Sequence, residues 1–498
     1  MTFKTWSRVG LPALLLATAV AAPVLAQTAA PAADATTTAA AAAAAPTVNK
    51  GDVAWMLVSA MVVLMMSLPG LALFYGGLVR AKNMLSLLMQ VGYCVAIVGL
   101  IWVLYGYSLA FTGGSPFIGG FSKAFLNGVT LESLAATFSV GVAIPEIVYI
   151  AFQMTFAMIT PALIFGAFAE RTKFSAVVLF VPLWVTFVYF PMAHMVWYWA
   201  GPDAIDAAAK AVAAAADGAA KTAAQGALDT VLADAGYIFS MGAIDFAGGT
   251  VVHINAGIAG LVACIIVGKR LGYGKEALSP HSLTLTMVGA SLLWVGWFGF
   301  NAGSNLEANA LTGLAMMNTF IATCAAAISW MFIEWLVKGK PSMLGLASGL
   351  VAGLVAVTPA AGFSSIMGSL VLGLVVSPIC FIFCTAIKNA LGYDDALDVF
   401  GVHGVGGIVG AIATGILVSP ALGGTGIFDY TTGAVASYDM ATQVMAQVKG
   451  VLVTVVWSSV GTAVILFIIS VVVGLRPTTD VEREGLDINE HGERAYHS

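Results

Sequence analysis

From residue 52 to residue 475 the chain alternates long apolar runs with short polar breaks. Eleven runs stand out, at 52–79, 86–112, 143–168, 173–198, 245–268, 281–303, 310–337, 341–360, 365–387, 399–420 and 449–475. Each is close to or above the ~20 residues that carry a helix across the hydrocarbon core. A helix satisfies its own backbone polar groups, which lipid cannot do. The pattern predicts an all-α polytopic membrane protein with eleven transmembrane helices.

The polar breaks orient these spans. Arg80 and Lys82 follow the first run, and Arg171 and Lys173 follow the third. Lys269, Arg270 and Lys275 follow the fifth, Lys338 and Lys340 the seventh, and Lys388 the ninth. Lysine and arginine are retained on the cytoplasmic side. Every odd-numbered span then ends inside, which puts the N-terminus out and the C-terminal tail, 476–498, in. Five spans of one orientation followed by five of the other is an inverted 5+5 repeat, and the eleventh is one extra helix.

Three segments lie outside this pattern. Residues 1–26 read as a signal peptide: Lys4 and Arg8, then LPALLLATAVAAPVLA, then a small-residue cleavage site before Gln27. A first membrane span is the alternative, but the stretch is short and broken by Pro12 and Pro23. Residues 27–50 form an Ala/Thr/Pro tract, expected to be a disordered, low-complexity exported tail. Residues 203–236 are Ala-rich with scattered Asp and Lys, which predicts an extracytoplasmic insert of one or two surface helices. The transmembrane domain is thus expected over 51–475.

Composition agrees. The chain is 60% apolar and 9% charged, against roughly a quarter charged in soluble proteins. The net charge of −5 selects no partner, and no basic patch with interleaved aromatics points to nucleic acid. Cys94, Cys264, Cys324, Cys380 and Cys384 all fall in apolar runs without metal-site spacing, and read as small buried hydrophobes.

Two histidines change the picture. His253 lies in DFAGGTVVHINAGIAGLVA and His403 in DVFGVHGVGGIVGAIATG. Gly257 and Gly260 follow the first as Gly407 and Gly410 follow the second, and Asp245 and Asp398 open the two segments. A single histidine on an apolar helix is usually a packing residue. Two in matching frames of opposite halves point to a pore or relay, because ionisable groups in lipid are costly. Neutral imidazole offers one donor and one acceptor nitrogen. Metal ligation is the competing reading, but no third ligand and no HExxH accompany the pair.

Longer motifs carry a resemblance. FQMTFAMIT (152–160), GAFAERTKFSAVVLF (166–180), PMAHMVW (191–197), DFAGGTVVHINAGIAGLV (245–262), WVGWFGFNAGS (294–304), DALDVFGVHGVGGIVG (395–410) and GLDINEHGERAY (485–496) are similar, in order, to the ammonium transporter (Amt) family. The resemblance covers about residue 50 to the end. It implies that Trp197, Phe156 and Ser304, with Phe152 beside them, form an outer recruitment site for ammonium. It implies that Phe156 and Phe300 stack as a gate and that His253 and His403 line the pore. Asp245 resembles the family's aspartate near the outer site; a helix N-cap with a through-space preference for cations accounts for it, and Asp398 is expected to cap its own span.

The resemblance further implies a bacterial inner-membrane transporter, not an enzyme, that binds ammonium, deprotonates it and passes ammonia, with net ammonium uptake. No cofactor is implied. The implied partners are two further copies, as a homotrimer with one pore each, and a PII-type regulatory protein at the cytoplasmic face. Two alternatives share the fold. An ammonium sensor of this kind often carries an appended signalling domain, whereas this chain runs about two dozen residues past its last span. A passive Rh-type ammonia channel is the other, and the Trp197, Phe156 and Ser304 set favours cation recruitment instead. The insert departs from the short connection usual in the family.

Overall fold

The computed structural model describes residues 46–496. The expected signal peptide and the tail as far as residue 45 lie outside them. The last part of that tail is not irregular, contrary to the expectation. Thr47 and Val48 pair in parallel with Val142 and Ala143, and the Asn49 side chain accepts from Gly51 N at 2.7 Å to start the first helix.

Among the described residues, eleven helices are long and apolar enough to cross a membrane: α1 (Lys50–Leu78), α2 (Ala81–Phe111), α3 (Glu146–Phe168), α4 (Phe174–Trp197), α5 (Gly249–Val267), α6 (Leu283–Gly303), α7 (Ala310–Lys338), α8 (Met343–Ala360), α9 (Ile366–Leu391), α10 (Phe400–Leu417) and α11 (Met440–Val472). Their bounds follow the apolar runs, with α11 the clearest exception. It starts ahead of its run because Asp439 accepts from Thr442 N at 2.8 Å and caps a polar first turn.

Packing repeats between the halves. α3 lies on α5 as α8 lies on α10, and α2 lies on α4 as α7 lies on α9. α1 packs on α6, and α11 packs on both α5 and α10. The two histidine helices cross where Gly257 meets Gly404: a Cβ on Gly257 would stand 2.1 Å from Gly404 N. Only glycine lets backbones approach so closely.

The insert forms two helices, Pro202–Ala214 and Ala219–Ala233, packed on each other. Its ends are tied down. Gly141 N donates to Asp203 at 2.6 Å, and the Tyr198 hydroxyl donates to Asp234 at 3.0 Å.

The basic ends of the odd-numbered helices gather on one face. Arg80 pairs with Glu170 at 3.0 Å, and Arg270 joins Glu170 at 3.3 Å to Asp394 at 2.8 Å. Burial alone would raise the Glu170 carboxyl, but Arg80 and Arg270 hold it below its ordinary value. The C-terminal tail docks on this face. Asp487 accepts from Leu85 N and Ser86 N at 3.0 and 2.8 Å, and Leu271 N donates to Glu482 at 2.9 Å.

Candidate functional site

α5 and α10 both open on a widened turn, at Gly249–Ile254 and Phe400–Gly404, and each holds its histidine there. Such turns widen the helix locally and recur at functional sites. An aspartate organises each. The Asp245 carboxylate accepts from the backbone N–H groups of Gly248, Gly249, Thr250 and Val251 at 2.9, 2.7, 2.8 and 3.2 Å. Burial still pushes this carboxyl up, against the pull of those donors.

In the second half the matching residue is Asp395, not Asp398. Asp395 accepts from Val399 N and Phe400 N at 3.0 and 2.8 Å. Asp398 has a positive φ of 59° and pairs with Lys388, so it does not cap the helix as expected. Asp245 and Asp395 each stand eight residues before their histidine. That equal interval was the available signal.

The histidines meet. His253 Nδ1 and His403 Nδ1 lie 3.2 Å apart, with ring centroids at 5.3 Å. His253 also stacks on Trp297 at 5.3 Å and 18°. The motif WVGWFGFNAGS contained this tryptophan three residues before Phe300, one helical turn away, yet it carried no expectation. His253 Nε2 is buried without a partner. His403 lines a cavity of about 240 Å³ on the side of the basic face, which Phe74, Tyr75, Arg270 and Asp398 also line.

On the other side of the pair, Phe156 and Phe300 stack at 4.2 Å and 22°. Phe300 lies 5.9 Å from His253. Trp197 stands edge-on to Phe156 at 5.8 Å and donates its indole N–H to the Asp245 carbonyl at 3.1 Å. The Ser304 hydroxyl donates to the Phe300 carbonyl at 2.7 Å. Its oxygen is thereby left as an acceptor. Trp197, Ser304 and Asp245 line a cavity of about 630 Å³, on the side of the pair away from the basic face. Phe152 is off that wall, fully buried 5.0 Å from Phe156. The geometry therefore brings all the expected site residues into one file, with Phe152 behind it. No cluster of three His, Cys, Asp or Glu side chains suited to a metal occurs among the described residues.

The model of the Ammonium Transporter Family matches residues 54–496. The chain belongs to the ammonium transporter family. An ammonium transporter of Aquifex aeolicus is 43% identical over 456 residues, covering 90% of this chain and 94% of the relative. The crystal structure of Saccharomyces cerevisiae Mep2 is 30% identical with a TM-score of 0.70, covering 86% of this chain and 90% of Mep2. A solved "Sensor Amt Protein" is 25% identical with a TM-score of 0.73, covering 89% and 98%. Membership of the ammonium transporter family places the chain among multi-pass membrane transporters, not enzymes.

Proposed function

We propose that this member of the family takes up ammonium with net charge transfer, by recruiting the cation outside, deprotonating it and passing ammonia between His253 and His403. The observation that carries this reading is the His253–His403 contact, set between a closed aromatic stack and the smaller cavity. At 3.2 Å one Nδ1 donates and the other accepts. In a neutral pair the two rings then present opposite characters at Nε2, one a donor and one an acceptor. Ammonia can hydrogen-bond to either.

The chemistry of selection follows. An intact cation that enters an apolar passage loses its hydration at a cost of many kcal/mol. Ammonia is neutral and loses far less. Potassium matches ammonium in charge and has no proton to give up, so it stops at the second step. In the outer cavity Trp197 offers aromatic surface to a cation, with Phe156 packed behind it at 5.8 Å, and Ser304 offers an acceptor oxygen to its N–H. Asp245 acts by position: its carboxylate is committed to four N–H donors and contributes a through-space preference for cations.

In the same reading the face that gathers the basic residues is cytoplasmic, the N-terminus is outside, and residues 1–26 direct export to a bacterial inner membrane. The chain assembles as a homotrimer. A PII-type regulatory protein binds where the tail docks, beside Asp487 and Glu482. The likeness to the sensor protein keeps signalling as a second reading, and an ammonium-driven current separates the two.

Trp197→Leu tests the recruitment site. A cation–π contact is worth about 0.5–2 kcal/mol, so the half-saturating ammonium concentration is expected to rise between about two- and thirtyfold. An unchanged value counts against Trp197.

A further inference from the structure

The outer cavity holds a second polar group, outward of Trp197 and Ser304. Glu146, Tyr149, Gln153 and Phe156 recur at helical spacing along one face of α3. At 1.5 Å per residue the stripe runs about 15 Å, from the outer end of the helix to the aromatic stack. Glu146, Gln153 and Lys123 line the same cavity as Trp197 and Ser304. Glu146 is 2% exposed and Gln153 9%.

Their acceptors are unequally used. Glu146 Oε1 accepts from the Tyr107 hydroxyl at 2.7 Å and from the Lys123 ammonium group. Glu146 Oε2 and Gln153 Oε1 are buried and have no donor. Buried acceptors are nearly always satisfied, and an orphan costs free energy. Both orphans need a donor, and both line a cavity open to a ligand. The group already held on Oε1 is itself an ammonium head on a flexible stem.

We infer that Glu146 and Gln153 form a second ammonium-binding stretch of the outer cavity, with Lys123 as a tethered cation that competes for the same carboxylate. Ammonium carries N–H donors on every side, so it bonds to Glu146 Oε2 and then to Gln153 Oε1 on its way toward Phe156. A quaternary ammonium cation lacks those donors, and potassium has none. The inference rests on ammonium being the transported cation.

The test compares ammonium-driven currents of three variants in proteoliposomes, each first checked for a single size-exclusion peak. Glu146→Gln is expected to raise the half-saturating concentration about three- to tenfold, through the loss of a charge-assisted acceptor. Lys123→Met is expected to lower it, because the competing cation is gone. Gln153→Leu is expected to raise it without any change of charge. A merely structural ion pair makes the Glu146 and Lys123 variants move together. A diffuse field effect leaves Gln153→Leu unchanged. Either result overturns the inference. If Glu146→Gln does not fold, Glu146→Asp withdraws the carboxylate by one methylene and is expected to shift the same way; no shift overturns the inference. Trp197→Leu is run beside them. A shift there with none in the three variants overturns this stretch alone; the reverse pattern overturns the Trp197 site and upholds the stretch.

Discussion

The two halves of the bundle carry the same device in unequal surroundings. In each, an aspartate stands eight residues before a histidine held in a widened first turn. Asp245 commits to four backbone donors, whereas Asp395 takes two and has Asp398 beside it, paired with Lys388. His253 faces Trp297 and Phe300, while His403 lines the smaller cavity with Asp398. The shared frame makes the histidine contact. The unshared neighbours put stacked aromatics on one side of the pair and a cavity that reaches Asp398 on the other.

The glycines break this comparison most sharply. A Cβ on Gly257 would stand 2.1 Å from Gly404 N, and one on Gly410 would stand 2.2 Å from the Ala356 carbonyl. Both obstacles are backbone. Overpacking costs about 1–3 kcal/mol, and more where backbone must move. The repeat partners are looser: the nearest atom to a Cβ is 3.1 Å away at Gly260 and 2.9 Å at Gly407, a side-chain carbon in each case. Gly257→Ala and Gly410→Ala are therefore expected to lose most folded protein, and Gly260→Ala and Gly407→Ala much less. Thermal unfolding in detergent checks the order, and four equal losses contradict it.

Next come the histidines. His253→Asp or His403→Asp places a carboxylate where the two rings meet, which favours bare cations. Both variants are expected to conduct potassium. Ion-replacement currents decide, and retained potassium exclusion in both removes the pore assignment.

The smallest effect concerns pH. Burial and the neighbouring Asp398 push the Asp395 carboxyl up to about 6. An unfolded aspartate titrates near 4. Between those values the folded chain keeps a proton that the unfolded chain releases, so this residue's contribution falls as pH rises from about 4 to about 6. Asp395→Asn is expected to flatten that part of the slope. Unfolding temperatures between pH 4 and 7 measure it, and an unchanged slope rejects the assignment.

The spans and the repeat were legible because lipid imposes one demand, a long apolar helix, on every crossing segment. The histidine frame was legible from its glycines. Asp395 is masked in the sequence because Asp398 is nearer the apolar start, and sequence alone does not show that Asp398 turns to Lys388 with a left-handed backbone. Trp297 lay unremarked among other aromatics, because its stacking on His253 is a contact between helices. Thr47 and Val48 sit at the end of a low-complexity tract, and their pairing depends on Val142 and Ala143, far along the chain. The polar tail gave no local sign that Asp487 would meet Leu85 and Ser86.

The most direct test of the account is the current across proteoliposomes containing the wild-type chain after a jump in ammonium, with an equal jump in potassium as control. The account predicts a saturable inward current with ammonium and none with potassium. Equal currents with both ions, or ammonia flux without any current, would contradict it.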